Sequence, residues 1–281
     1  MPGPSTWVCP TCKVPVPTRY CAQCGEEPLA PADLTLRGLA AKVLHALTSI
    51  DARAARSARV LLRRPGDLTL AWVSGIRKPY VAPFQLFLIA NVIFFAVQWA
   101  TGENVFSSPL QSHLHHQDWS ELARSFLDRR LESTHRTLAE FEPAFDRAVV
   151  FYAKSLILLM SLPFALLLPL AFLRARRPFM THVVFALHLY TFLLLLFCLA
   201  LLAARLSAWL GLGGLDSPGV DNALSALNLA ACAVYLYLAV GPVYGAAGVP
   251  RVVKSIALAL SVAAIALGYR FVLFFVALYG A

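Results

Sequence analysis

The stretch FMTHVVFALHLYTFLLLLFCLALLAA, residues 179–204, decides the fold. Its 26 residues include no Asp, Glu, Lys or Arg. A helix needs about 20 apolar residues to cross the roughly 30 Å hydrocarbon core of a bilayer, and a soluble helix of this length would keep a polar face. Comparable blocks lie at about 81–100, 150–173, 223–247 and 253–279. Five such blocks predict an all-α integral membrane bundle of about five transmembrane helices.

Composition agrees. The chain has 281 residues, 59% of them hydrophobic and 14% charged, whereas soluble domains run at about 45–50% and about 25%. A formal charge of +9 raises the question of nucleic acid, but the distribution of charge argues against that partner. Residues 1–80 carry 11 Lys/Arg against 5 Asp/Glu, and further basic clusters fill the connectors at Arg174–Arg177 and at Arg251 and Lys254. With five spans these clusters share one side. The 101–149 loop, with 5 basic and 8 acidic residues, and the 206–222 loop with Asp216 and Asp221 take the other. Basic residues concentrate on the cytoplasmic side, so the chain is expected to run N-in and C-out. Residues Met1–Thr6 lack the basic and apolar runs of a secretory leader, which also places the N-terminus in the cytosol.

Three sections follow: residues 1–30, a metal module; 31–79, basic amphipathic helices beside the membrane; and 80–281, the transmembrane domain with an outer helical loop at 101–149. In that loop Trp119, Leu122 and Phe126 recur at helical spacing. Pro143, suited to a first turn, predicts that the second membrane helix begins there, with Phe145, Val149 and Tyr152 on one face.

In the metal module, Cys9-Pro10-Thr11-Cys12 and Cys21-Ala22-Gln23-Cys24 form two C-x-x-C turns separated by eight residues. Two residues between thiolates let one tight turn aim both sulfurs at a metal, and two turns complete a tetrahedral site. Gly25 supplies a positive φ behind the second turn, and Lys13 occupies that place behind the first. About thirty residues bury too little apolar surface to fold unaided, so a structural zinc is expected to supply the folding energy. Disulfides are the alternative, disfavoured by a reducing cytosol. Cys198 and Cys232 lie inside membrane blocks as small packing residues.

In the basic section a helix is expected from Asp33, with Leu36, Leu39, Val43, Leu44 and Leu47 on one face. A second follows Ser49 or Asp51, with Arg53, Arg56, Arg59 and Arg63 near one side and Ala54, Ala58, Leu61 and Leu62 opposite. Pro65-Gly66 ends it. Arginines so placed suit anionic headgroups.

The block Arg64-Pro65-Gly66, then Trp72-Val73-Ser74-Gly75-Ile76-Arg77-Lys78-Pro79-Tyr80-Val81-Ala82-Pro83-Phe84, resembles a bacterial family, domain-of-unknown-function family 3667. Trp72 stands where a Tyr is expected and Ser57 where a Thr is expected. The resemblance implies a bacterial inner-membrane protein with a zinc ribbon, a basic helical segment and several spans, and it implies no activity. Read physically, Gly75 ends a short helix, Arg77 sits at the membrane surface, Tyr80 anchors at the interface and Pro83 opens the first span. Arg77, Tyr80, Gly75 and Pro83 therefore form a candidate ligand site, because a guanidinium grips a phosphate through two parallel hydrogen bonds. The plain alternative is a charge that fixes orientation.

Elsewhere His113, His115, His116 and His135 are candidate metal ligands in the outer loop. Arg270 interrupts the fifth block roughly 25 Å from Val253, near the outer surface, where it can snorkel or pair with a loop carboxylate. No glycine-rich phosphate loop, nucleophile elbow or H-E-x-x-H motif occurs. The function read first is binding or transport of a lipid or small amphipathic solute, with anionic headgroups as partners and the ribbon offering a place for a protein partner. A membrane enzyme with an interfacial site and a scaffold recruiting partners through the ribbon are the alternatives.

Overall fold

The computed structural model describes residues 6–9, 11–18, 20–24, 52–77, 79–102, 108–115, 117 and 119–281. The turn at Gly25 and the helix expected from Asp33 lie outside them. The chain falls into two units, Met1–Arg53 and Ala54–Ala281.

In the second unit the helices are α1 (52–63), α2 (Asp67–Val73), α3 (Pro83–Thr101), α4 (Leu110–His115), α5 (Ser120–Thr134), α6 (Leu138–Leu156), α7 (Ser161–Ala171), α8 (Phe179–Trp209), α9 (Pro218–Tyr244) and α10 (Gly248–Gly280). This is an all-α membrane bundle. Four helices, α3, α8, α9 and α10, are long and apolar enough to cross a membrane. The fifth expected span is not one helix: the end of α6, a 3-10 turn at Ile157–Met160 and the eleven-residue α7 share it. Proline accounts for the break, since Pro163 lacks an N–H and sits without penalty only in the first turn of a helix, where α7 places it. The broken segment still runs the length of α10. The Tyr269 hydroxyl donates to the Ala153 carbonyl at 2.9 Å, and Lys254 Nζ donates to the Ala171 carbonyl at 2.7 Å. Residues 254 and 269 of α10 are roughly 22 Å apart along the axis.

α8 is the central helix. In its apolar stretch 61% of residues are buried, against 33%, 28% and 22% in α3, α9 and α10. It packs against α3, α7 and α9, while α10 packs against α9 and α6. Apolar side chains such as Val92, Trp99, Leu238 and Leu260 face outward, as in lipid, where a helix gains little by hiding them.

α1 and α2 dock onto this body through three positions. Gly66 turns the chain at φ +94°, and a Cβ there would sit 2.8 Å from the Ala239 carbonyl oxygen of α9. The buried Ser57 hydroxyl accepts the Val81 N–H at 2.9 Å, tying α1 to the approach of α3. Thr69 Oγ1 and His188 Nδ1 are hydrogen-bonded at 2.8 Å, tying α2 to α8.

The outer loop folds into α4 and α5. In α5 the buried positions are Ala123 and Leu127, while Leu122 is exposed, so the inward face is rotated from the expected one. α6 begins at Leu138, five residues before Pro143. Its start is a capping box: the Thr137 N–H donates to Glu140 Oε2 at 3.0 Å. Phe145 and Val149 are buried on one face, as expected, with Phe141 added.

Candidate metal centre and basic edge

The metal module is built on a two-stranded antiparallel sheet, Trp7–Val8 with Pro15–Val16, in the register Trp7 to Val16. Cys9 follows the first strand directly. The Lys13 N–H closes the first C-x-x-C turn onto the Cys9 carbonyl at 2.9 Å, and Lys13 itself takes φ +61°, the positive value expected there. Trp7 Nε1 donates to the Thr18 carbonyl at 2.8 Å, bracing the chain into the second turn.

The four sulfurs of Cys9, Cys12, Cys21 and Cys24 lie within 4.8 Å of one another, with Cys9 and Cys24 at 3.5 Å. Tetrahedral thiolates about 2.3 Å from a zinc-sized ion would be roughly 3.8 Å apart, so the cluster can hold a metal ion. Backbone N–H groups of Cys24, and then of Gln23, aim at the Cys21 sulfur and hold its thiol down at about 7. That favours the thiolate form a metal requires. Among the described residues the apolar core of this unit is small: Cys9, Val16 and Cys21, flanked by Trp7, Cys12 and Val14.

At the end of the bundle where α2 meets α3, the chain forms a basic edge. α2 ends in a Schellman turn: the Gly75 N–H bonds the Trp72 carbonyl at 3.2 Å and the Ile76 N–H bonds the Ala71 carbonyl at 2.8 Å, with Gly75 at φ +86°. This turn brings Arg77 back over its own helix, its guanidinium carbon 4.9 Å from the centre of the Trp72 ring. Arg77 is exposed, and among the described residues no hydrogen bond engages its guanidinium. The Tyr80 N–H bonds the Arg77 carbonyl at 3.2 Å, and Tyr80 packs half-buried on the core. Pro83 is buried at the first turn of α3. Arg77, Tyr80, Gly75 and Pro83 thus occupy one continuous turn. Arg56 Nη1 reaches the Pro79 carbonyl at 3.5 Å.

The connector cations at the same end have structural partners that charge counting missed. Arg177 Nε donates to the Val243 carbonyl and Arg251 Nε to the Tyr237 carbonyl, at 3.0 and 2.6 Å. Each thereby satisfies carbonyls near the C-terminus of α9. Lys254 lies 4.8 Å over Phe172, which stacks on Tyr244 at 4.2 Å, and Tyr244 stacks in turn on His182. The only forewarning was that these aromatic residues sit beside basic connectors.

The outer histidines do not converge. His113 is buried among Trp119, Phe145 and Phe274, and burial pushes its imidazole down to about 4. His115 is exposed beside Arg124, and His135 is the exposed left-handed cap of α5. His116 lies outside the described residues. Among the described residues, the four cysteines are the one group that gathers three or more metal-type ligands. Arg270 donates from Nη2 to Ser108 Oγ at 2.9 Å, a hydroxyl rather than the expected carboxylate.

No curated protein and no solved structure matches the chain. Residues 51–95, the segment that contains Ser57, Gly66, Thr69, Gly75 and Arg77, match the model of a family described as a protein of unknown function, DUF3667, which bears out the resemblance carried by the Arg64–Phe84 block.

Proposed function

We propose that this chain is a multi-span protein of the bacterial inner membrane, with a cytoplasmic N-terminus, that binds a lipid or small amphipathic solute by its anionic headgroup at the basic edge. Arg77 is the gripping residue, Tyr80 lines the interface beside it, and Gly75 and Pro83 set the turn that presents both. Cys9, Cys12, Cys21 and Cys24 hold one structural zinc, which fixes the ribbon and leaves no coordination position open for chemistry.

The observation that carries this reading is the exposed Arg77 guanidinium stacked on Trp72. Stacking occupies the face of the guanidinium, while its N–H donors lie in the plane and suit a phosphate or carboxylate. The arginines of α1 add to the positive field on the same segment, each contributing about 1 kcal/mol near an anionic leaflet.

Native mass spectrometry of the purified full-length protein with phosphatidylglycerol tests it. Arg77→Lys keeps the charge and loses the two-pronged geometry, so retention of the anionic lipid should fall while topology stays unchanged. Equal retention by Arg77→Lys would leave Arg77 as an orientation signal and overturn the binding role.

A further inference from the structure

A cleft of about 460 Å³ opens between α8, α9 and α10 at the opposite end of the bundle from Arg77. That volume lies within the range of about 300–1,000 Å³ typical of small-molecule sites. The space exists because α9 and α10 meet it with small side chains: Ala226 on α9, and Ala259, Ala263 and Ala266 down one stripe of α10. Phe197 and Val262 complete an apolar wall.

The charge of the cleft is confined to one end. Arg270 lines it there and Cys232 and Ala259 mark the other extreme, with Ser225 and Asn228 on α9 between them. From Ala259 to Arg270 the cleft follows α10 for roughly 17 Å, about half of the roughly 30 Å hydrocarbon core. Arg270 and Lys254 are 16 residues apart, roughly 24 Å along the helix, so Arg270 stands near the far edge of that core.

Arg270 is only partly engaged by the protein. Nη2 donates to Ser108, whereas Nε is buried with no hydrogen-bond partner among the described residues. Asp221 on α9 is within electrostatic range, but among the described residues it makes no hydrogen bond to Arg270. Arg270 nevertheless lines the cleft, and an oxyanion arriving there would give its guanidinium a charge-assisted partner.

We propose that this cleft binds an amphiphile with one acyl chain and an oxyanion headgroup, the headgroup at Arg270, the chain running along the alanine stripe toward Cys232. Charge complementarity selects the head. The one-leaflet length and the apolar wall select a single chain. A stripe of alanines also suits close packing of a second helix, but an apolar helix would bring no anionic partner to the Arg270 that lines the cleft. The site is separate from the basic edge, so failure at either leaves the other standing.

The test uses the full-length protein and three probes by native mass spectrometry and competition binding: palmitate, palmitoyl lysophosphatidate and the uncharged monopalmitoylglycerol. Arg270→Gln should weaken both anionic probes about tenfold or more, the scale of a lost hydrogen bond to a charge. It should leave monopalmitoylglycerol unchanged, and Arg270→Lys should recover part of the loss. Ala263→Phe fills the apolar part of the cleft and should weaken all three. Ser108→Ala removes the existing Arg270 contact and should retain anionic binding, which separates headgroup recognition from bracing of the helix end. The tighter of the two anionic probes identifies a carboxylate or a phosphate as the natural head. Unchanged anionic affinity in a folded Arg270→Gln protein overturns the proposal. So does an Ala263→Phe protein that binds palmitate as before, or one that loses self-association while palmitate binding persists.

Discussion

The ribbon and the bundle are stabilised by opposite means. Among the described residues the ribbon's apolar core is Cys9, Val16 and Cys21, two of them members of the four-cysteine cluster, so its packing and its candidate metal site are nearly the same atoms. The bundle has a continuous core, from Leu61 in α1 to Leu278 in α10, and its polar contacts serve to seat helices rather than to create them. One unit gathers four cysteines that could hold a metal, the other is packed by the fit of many side chains. Perturbations should therefore divide cleanly between them.

The largest expected effect is on the ribbon. Removing metal with a chelator, or changing Cys9 to Ser, should abolish its fold outright, because so few apolar residues cannot order the chain alone. Trp7 fluorescence and near-ultraviolet dichroism should lose their folded signal while the helical signal of the bundle persists. A ribbon that keeps its structure in the chelator would remove the contrast. Acid should act in the same direction, since the sulfurs ligate as thiolates and protons compete for them.

Next comes Gly66. Gly66→Ala places a Cβ against the Ala239 carbonyl and forces a side chain into positive φ. It should destabilise the docking of α1 and α2 by about 2–4 kcal/mol. Thermal unfolding in detergent measures this, and the ribbon should not respond.

A smaller effect is expected at Ser57. Ser57→Ala leaves the buried Val81 N–H without its acceptor and should cost about 1–3 kcal/mol, whereas Ser57→Thr, which keeps a hydroxyl, should retain the hydrogen bond. Hydrogen exchange at the Val81 amide reports the difference directly.

The smallest concerns the capping box. The Thr137 backbone N–H, followed by its side chain, holds the exposed Glu140 carboxyl below its usual range. A carboxyl depressed on folding binds fewer protons than in the unfolded chain, so its contribution is present at neutral pH. It is lost as pH falls through the lowered value. Protection of the Phe141 amide, which bonds the Thr137 carbonyl, relative to its intrinsic exchange rate should fall in acid, and Glu140→Gln should flatten that dependence.

Much of this architecture was legible because membrane helices announce themselves by length. α8, α9 and α10 follow from long apolar runs, and the C-x-x-C spacing locates the sulfur cluster. Gly75 was readable as a helix end for the same reason that it forms the Schellman turn: a positive φ admits glycine best. The failures share a cause. Hydropathy records how apolar a segment is and not whether its helix is continuous, so the break before Pro163 was hidden inside block 150–173. Pro143 obscured Thr137-x-x-Glu140, a start signal that pattern reading could have found. The partners of Ser57, Thr69 and His188 lie 24 to 119 residues away in the chain, and no local pattern encodes them. Arg270 was readable as a charge within the fifth block, but its cleft depends on alanines of two helices facing each other.

The account rests most heavily on the broken segment from Ala153 to Ala171 counting as a crossing. With it, the ribbon and Ala281 lie on opposite sides of the membrane; without it, the four long helices return both to one side. Single-cysteine labelling of intact and permeabilised cells, with all six native cysteines replaced, decides the matter. A cysteine placed at Ala281 should react with an impermeant maleimide in intact cells, and one at Thr6 only after permeabilisation. Labelling of both positions under the same condition would contradict the five-crossing bundle.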